Sequence, residues 1–252
     1  MKFKILVLLL VSFSMIFCAS SQKKLEKQRA NDPQYQYNVG LVYLQNDSYE
    51  EAMKYLEKSL SLKPDFDLAL NALGIIHFIN AEFQEAQGYF ERCLKVNPEF
   101  TEARNYLGSV YQEIGYLDKA EAEFSKAISD ETYASRELPL YNLARLYLLK
   151  EKDEEALKLV NAALILNDRM VMAINLKGVL LERLGQMKDA IKSYEKALEI
   201  NPGDVNLSYN LAVAYFKSDR RAEAKSLFEK IYPNVQDEEI KAKIDEYLEV
   251  LK

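Results

Sequence analysis

The sequence lacks tryptophan altogether and carries one histidine, His77, and two cysteines, Cys18 and Cys93. One His and one Cys in the body of the chain cannot make a metal centre, because structural and catalytic sites need three or four ligands. There is no Gly-rich phosphate loop, no nucleophile elbow and no Ser, His and acid set, which leaves no catalytic constellation to assign. Basic residues do not predominate: 33 Lys and Arg stand against 39 Asp and Glu. A nucleic-acid binder needs basic patches to neutralise phosphates, so that class is excluded as well. No stretch alternates with period two over a strand length, so no sheet is expected. Long apolar runs are also missing, apart from the 13 residues Ile5 to Phe17, well short of the ~20 needed to span a bilayer.

What is present is a repeat. Ala52, Ala86, Ala120, Ala156, Ala190 and Ala224 recur at steps of 34, 34, 36, 34 and 34 residues, and Gly40, Gly74, Gly108, Ala144, Gly178 and Ala212 follow the same steps. Such a period, with small residues at two fixed places, marks one supersecondary module stacked on its neighbours. With Pro33 as phase 1, the Gly/Ala series is phase 8 and the Ala series phase 20. Phase 11 then reads Tyr43, His77, Tyr111, Tyr147, Leu181 and Tyr215, and phase 24 reads Leu56, Phe90, Phe124, Val160, Tyr194 and Phe228. Phase 32 reads Pro64, Pro98, Thr132, Asp168 and Pro202. The 17 Tyr and 11 Phe suit these packing positions. Phases 8 and 20 are expected to face one another where two helices cross, since only a small residue lets backbones approach. Asn97-Pro98 and Asn201-Pro202 stop one helix and help start the next.

This pattern over residues 33 to 236 resembles the tetratricopeptide repeat, a helix-turn-helix unit. The resemblance implies an all-α, right-handed superhelical solenoid of about six repeats. Ile240, Ile244, Tyr247, Leu248 and Leu251 share one helical face, so residues 237–252 are expected to form a capping helix. Cys93 and His77 read as packing residues at their phases.

In this fold family, phases 2, 5, 9 and 12 of the first helix line the concave groove. The candidate protein-binding residues are therefore Tyr37, Asn71, Asn105, Tyr141, Asn175 and Tyr209 at phase 5, Leu41, Ile75 and Arg145 at phase 9, and Phe78 and Phe216 at phase 12. Asn amides pair with backbone N–H and C=O groups, and aromatics anchor side chains, so this face suits a segment of a protein partner. It lacks the Lys and Arg clusters that clamp a terminal carboxylate. No cofactor, metal or nucleic acid is expected.

The amino terminus carries a different signal. Lys2 and Lys4 precede the apolar run, and Cys18 ends it, followed by Ala19-Ser20-Ser21-Gln22. The order reads as a signal peptide over residues 1–17. It resembles the lipobox of bacterial lipoproteins, which implies that Cys18 becomes the acylated first residue and that the membrane is a partner through this lipid. Phe17 stands where that pattern has Gly, Ala or Ser, and cleavage after Ser20 or Ser21, each with a small residue two places earlier, is the alternative. Removing residues 1–17 takes Lys2 and Lys4 away and leaves a net charge of −8. The tether 18–32 is locally basic, and its 14 residues after Cys18 reach at most about 50 Å.

One irregularity is informative. Two extra residues separate the third and fourth repeats, where the chain reads Ser129-Asp130-Glu131-Thr132-Tyr133-Ala134-Ser135-Arg136. Asp130, Tyr133, Arg136 and the following Asn142-Leu143 resemble the matching junction of the pilotin lipoproteins of type IV pilus systems. That likeness implies a non-enzymatic assembly factor at the periplasmic face of the outer membrane, whose partner is the secretin subunit. The plainer expectation is a loop held by an Asp130 to Arg136 pair, in a lipid-tethered scaffold for another complex of peptidoglycan or outer-membrane biogenesis.

Overall fold

The structure, a computed structural model, describes residues 28–252. Residues 1–17, Cys18 and the tether up to residue 27 lie outside the described residues. Among those described there are helices and turns and no strand. Helices follow one another in order: α1 Pro33–Gln45 paired with α2 Tyr49–Leu62, α3 Asp67–Ile79 paired with α4 Phe83–Val96, then α5 Thr101–Glu113, followed by α6 Leu117–Ser129. Then come α7 Glu137–Leu149 with α8 Asp153–Leu166, α9 Val171–Arg183 with α10 Met187–Ile200, and α11 Val205–Lys217 with α12 Arg221–Ile231. A 3-10 turn, Tyr232–Asn234, leads to α13, Glu238–Val250. By internal contacts the chain divides into a unit ending at Ile114 and a unit beginning at Gly115.

Each turn inside a pair is built alike. Asp47, Ala81, Gly115, Glu151, Gly185 and Asp219, all at phase 15, have φ between +54° and +83°. In five of these turns the amide after the turn residue is seen to return to the carbonyl at phase 11, as in Ser48 to Tyr43 at 3.0 Å, Glu82 to His77 at 2.8 Å and Lys152 to Tyr147 at 2.9 Å. This is the left-handed C-terminal cap that satisfies the last carbonyls of a helix. Asp32, Asp204 and Asp237, each extended and just before a helix, accept backbone amides on their side chains.

Packing follows the repeat. All six phase 20 alanines are fully buried, and so are the large phase 24 side chains, with Tyr194 at 1% exposure the least covered. The phase 8 glycine comes close to the phase 20 backbone at Gly40, and still closer to the phase 24 side chain, a contact the small-residue series did not specify. A Cβ on Gly40 would lie 2.8 Å from Leu56 Cγ and 3.3 Å from the Ala52 carbonyl, and one on Gly74 would lie 2.6 Å from Phe90 Cε1. The missing Cβ makes room for a ring or a leucine. At phase 27, Ser59 Oγ donates to the Pro33 carbonyl at 2.7 Å and Cys93 Sγ to the Asp67 carbonyl at 3.3 Å, tying the second helix to the start of the first.

Successive repeats are pinned by phase 11. Tyr111 donates to Glu91 at 3.1 Å, Tyr147 to Glu121 at 2.9 Å and Tyr215 to Glu195 at 2.8 Å, each reaching the second helix of the preceding pair. In the first repeat Tyr43 instead stacks on Tyr55. There Tyr35 and Val42 are 37% and 57% exposed, at phases that Ala69 and Ile76 fill with fully buried side chains. At the other end, α13 lays Ile240, Ile244, Tyr247, Leu248 and Leu251 against Phe228 and Ile231. Phe228 and Tyr247 stack with centroids 5.0 Å apart.

Asp130 turns its carboxylate to Thr132, accepting from its amide at 2.9 Å and its hydroxyl at 2.6 Å. Arg136 Nε is buried without a partner. At this junction the Asp130 side chain closes an Asx turn on Thr132.

Candidate functional site

The stripe of phases 2, 5, 9 and 12 runs along the first helices. In the N-terminal unit, Tyr37, Leu41, Ile75 and Phe78 are half-buried, each with one side on the core and one side open. Tyr37 packs on Phe66 with ring centroids 5.3 Å apart. Phe78 touches Phe83 and Tyr106, both at 5.8 Å. Burial pushes the Tyr37 hydroxyl above its ordinary range, and the charges of Glu102 and Asp67 add to this.

The asparagines differ from the expectation of a free amide ladder. Asn71 and Asn105 are only 5% and 4% exposed. Asn71 Nδ2 donates to Glu102 Oε2 at 2.8 Å, which commits that donor to the next repeat. In the C-terminal unit Asn175 Oδ1 accepts from Asn210 Nδ2 at 3.0 Å. Asn71 and Asn175 thus each pair one amide atom with the first helix of the following repeat, which offsets part of the ~1–3 kcal/mol cost of burying an unsatisfied group.

Also in the C-terminal unit, Tyr141 is half-buried, with its hydroxyl pushed up by burial, and the exposed Arg145 lies over its ring at 5.9 Å. Tyr209 and Phe216 are half-buried against Phe228 and Tyr247, at 6.1 and 4.9 Å, beside the terminal helix. Glu182, at phase 12, accepts from Lys217 at 2.5 Å and from Tyr194 at 3.2 Å.

Two residues of the N-terminal unit were missed in the sequence. Glu102 at phase 2 and Tyr106 at phase 6 stand beside Asn71 and Phe78. A signal was available for the first, because phase 2 elsewhere reads Gln34, Leu68, Leu138, Met172 and Asn206, with no other charge.

The two groups first considered for chemistry are structural. His77 Nδ1 meets Glu82 at 2.6 Å and its ring stacks on Tyr89. Cys93 is fully buried, and its thiol is pushed up to about 12, first by burial and then by Asp67 and Glu102. Among the described residues no cluster of His, Cys, Asp and Glu could hold a metal ion, and no helix is long and apolar enough to cross a membrane.

Family models agree with this architecture along most of the repeat region. Tetratricopeptide-repeat models match residues 33–66 and 68–137, and a model of the tetratricopeptide repeat protein 21 C-terminal ARM domain matches 127–244. The chain folds as tetratricopeptide repeats. A TPR repeat-containing protein, MJ1428 of Methanocaldococcus jannaschii, is 29% identical over 140 residues, 54% of this chain and 24% of that protein. The chain thus matches about a quarter of that relative's length. The solved structure of Pseudomonas aeruginosa PilF superposes with a TM-score of 0.77 at 19% identity, covering 86% of this chain and 98% of that one. PilW, described as a widely conserved type IV pilus biogenesis factor, gives 0.78 at 17% identity over 84% and 97%. At these identities the likeness is one of fold. A tetratricopeptide solenoid is a protein-interaction scaffold, with helices rather than a catalytic cleft as its working parts.

Proposed function

We propose that the chain is a non-enzymatic assembly factor of the bacterial envelope, anchored by lipid on Cys18, that promotes assembly of the secretin of a type IV pilus in the manner of a pilotin. The observation that carries the binding role is the half-open row of Tyr37, Leu41, Ile75 and Phe78 on a rigid helical support. Aromatic and aliphatic anchors held this way are what a bound segment of a partner needs, because their own rotamers are already fixed. The order of Lys2, Lys4, the apolar run and Cys18 supports the anchor, and the fold likeness to PilW supports the choice of system.

The function is tested by deleting the gene and measuring the ratio of heat-stable secretin multimer to monomer in envelopes. The expected result is subunits made but unassembled. Normal multimer levels would overturn the secretin role. Anchoring is tested separately by mass spectrometry of the amino-terminal peptide, expected to be acylated at Cys18. A free terminus at Ser21 or Gln22 would remove the anchor. Replacing both Tyr37 and Phe78 by alanine is a poor test of the groove, since both rings also pack on Phe66, Phe83 and Tyr106.

A further inference from the structure

Charges are scarce on the stripe, and one of them in the N-terminal unit is left without a counter-ion. Phases 2, 5, 9 and 12 contain three charged residues in all: Glu102, Arg145 and Glu182. Glu182 is met by Lys217, and Arg145 lies over Tyr141. Glu102 is half-buried and no Lys, Arg or His among the described residues pairs with it; its sole hydrogen bond is the one from Asn71 Nδ2 to Oε2. A carboxylate held partly out of water without a cation is unfavourable unless something else supplies one.

A second acceptor stands beside it. Asn71 is 95% buried by its 5% exposure, and its Oδ1 has no donor. The amide cannot be turned over to relieve this, because its oxygen would then face the carboxylate. One amide thus fixes the orientation of Glu102 and leaves a buried, unmet oxygen behind it. Glu102 lies close enough to Tyr37 and Tyr106 to push both hydroxyls up, after burial, and Tyr106 in turn meets Phe78 edge to face.

We propose that this end of the groove, with the Glu102 carboxylate held by Asn71 near Tyr37 and Tyr106, receives a basic side chain of the bound partner segment, arginine in preference to lysine. This rests on the groove reading above and adds the chemistry of the partner. A guanidinium offers five donors in a planar fork that matches a carboxylate and is at home beside aromatic rings. An ammonium is a compact, strongly hydrated charge that gives up more on entering a half-dry site. The apolar positions Leu41, Ile75 and Phe78 then take the neighbouring side chains of the same segment.

The test compares two synthetic peptides on the full chain in detergent micelles: an acetylated, amidated five-residue peptide of leucine and phenylalanine around one central arginine, and the same peptide with citrulline, which keeps the shape and loses the charge. The arginine peptide should bind about ten- to a hundred-fold more tightly, the range for a hydrogen bond to a charged group. Glu102→Gln should erase that difference while leaving the thermal midpoint in place. The ¹⁵N side-chain amide resonance of Asn71 should shift with the arginine peptide alone. Equal binding of both peptides would overturn the basic preference and leave the groove reading standing. A preference that survives Glu102→Gln would overturn the assignment to this carboxylate. Absence of binding by either peptide would remove both the basic site and the groove at this end.

Discussion

Gly74→Ala sets packing against helix propensity, and the two act in opposite directions. In a helix interior the change to alanine alone stabilises by ~1 kcal/mol. Here the new Cβ would stand 2.6 Å from Phe90 Cε1 and 2.8 Å from its Cδ1 and Cζ. Phe90 is fully buried and stacked on Tyr106 with centroids 5.6 Å apart, so the ring has nowhere to retreat. Overpacking of this kind costs roughly 1–3 kcal/mol, and a clash with three ring atoms belongs at the upper end, leaving a net loss of about 1–2 kcal/mol. Gly88 in the same repeat faces open space, so Gly88→Ala should stabilise by ~1 kcal/mol. Ala144 faces the shorter Val160 at the same two phases, so in a Phe90→Val background Gly74→Ala should become favourable. Urea and thermal unfolding measure all of these, at about 2–4 °C per kcal/mol for a chain of this size. A Gly74→Ala protein that melts at or above the parent would refute the phase 8 to phase 24 contact.

Ala81→Gly and Glu151→Gly should each raise stability by roughly 0.5–1 kcal/mol, because both residues sit at positive φ where a Cβ costs about 1–2 kcal/mol and glycine gives back part of that as chain entropy. Melting points unchanged in both would show that the caps are not strained. Cys93 should resist iodoacetamide at pH 8 in the folded chain and react in urea. Its folded thiol is raised to about 12 from an ordinary 9.0, so its contribution is full below pH about 9 and is lost as the pH rises towards 12. Stability flat from pH 9 to 11 would count against that. Removing residues 237–252 should expose Phe228 and Ile231 and promote aggregation, read by light scattering, whereas a monodisperse truncated chain would deny α13 a capping role.

The period of small residues made the helix pairs legible before any coordinates, because a close crossing tolerates so few side chains. The identity of the contact was less legible. Glycine at phase 8 signals crowding without saying by what, and the answer, Leu56, Phe90 or Tyr194, depends on which way a long side chain leans. The phase 5 stripe could be read, but not the fate of its asparagines, since their partners Glu102 and Asn210 lie 31 and 35 residues away. Pairing across one repeat length becomes visible only when helices are stacked. Asp130 illustrates the opposite limit. Two nearby opposite charges suggest an ion pair, and the short-range hydrogen bonds from Thr132 to one carboxylate oxygen, a local Asx turn that costs little chain ordering, were not foreseen.

The central claim, that the first-helix stripe holds a segment of an envelope partner, is tested most directly by site-specific photocrosslinking in living cells. A photoreactive amino acid replaces Gln112, half-buried at phase 12 of the stripe, and in a second strain it replaces Lys95, exposed near the end of α4. The account predicts one dominant adduct from position 112, identified by its peptides as a secretin subunit, and none from position 95. No adduct from position 112, or the same adducts from both positions, would contradict it.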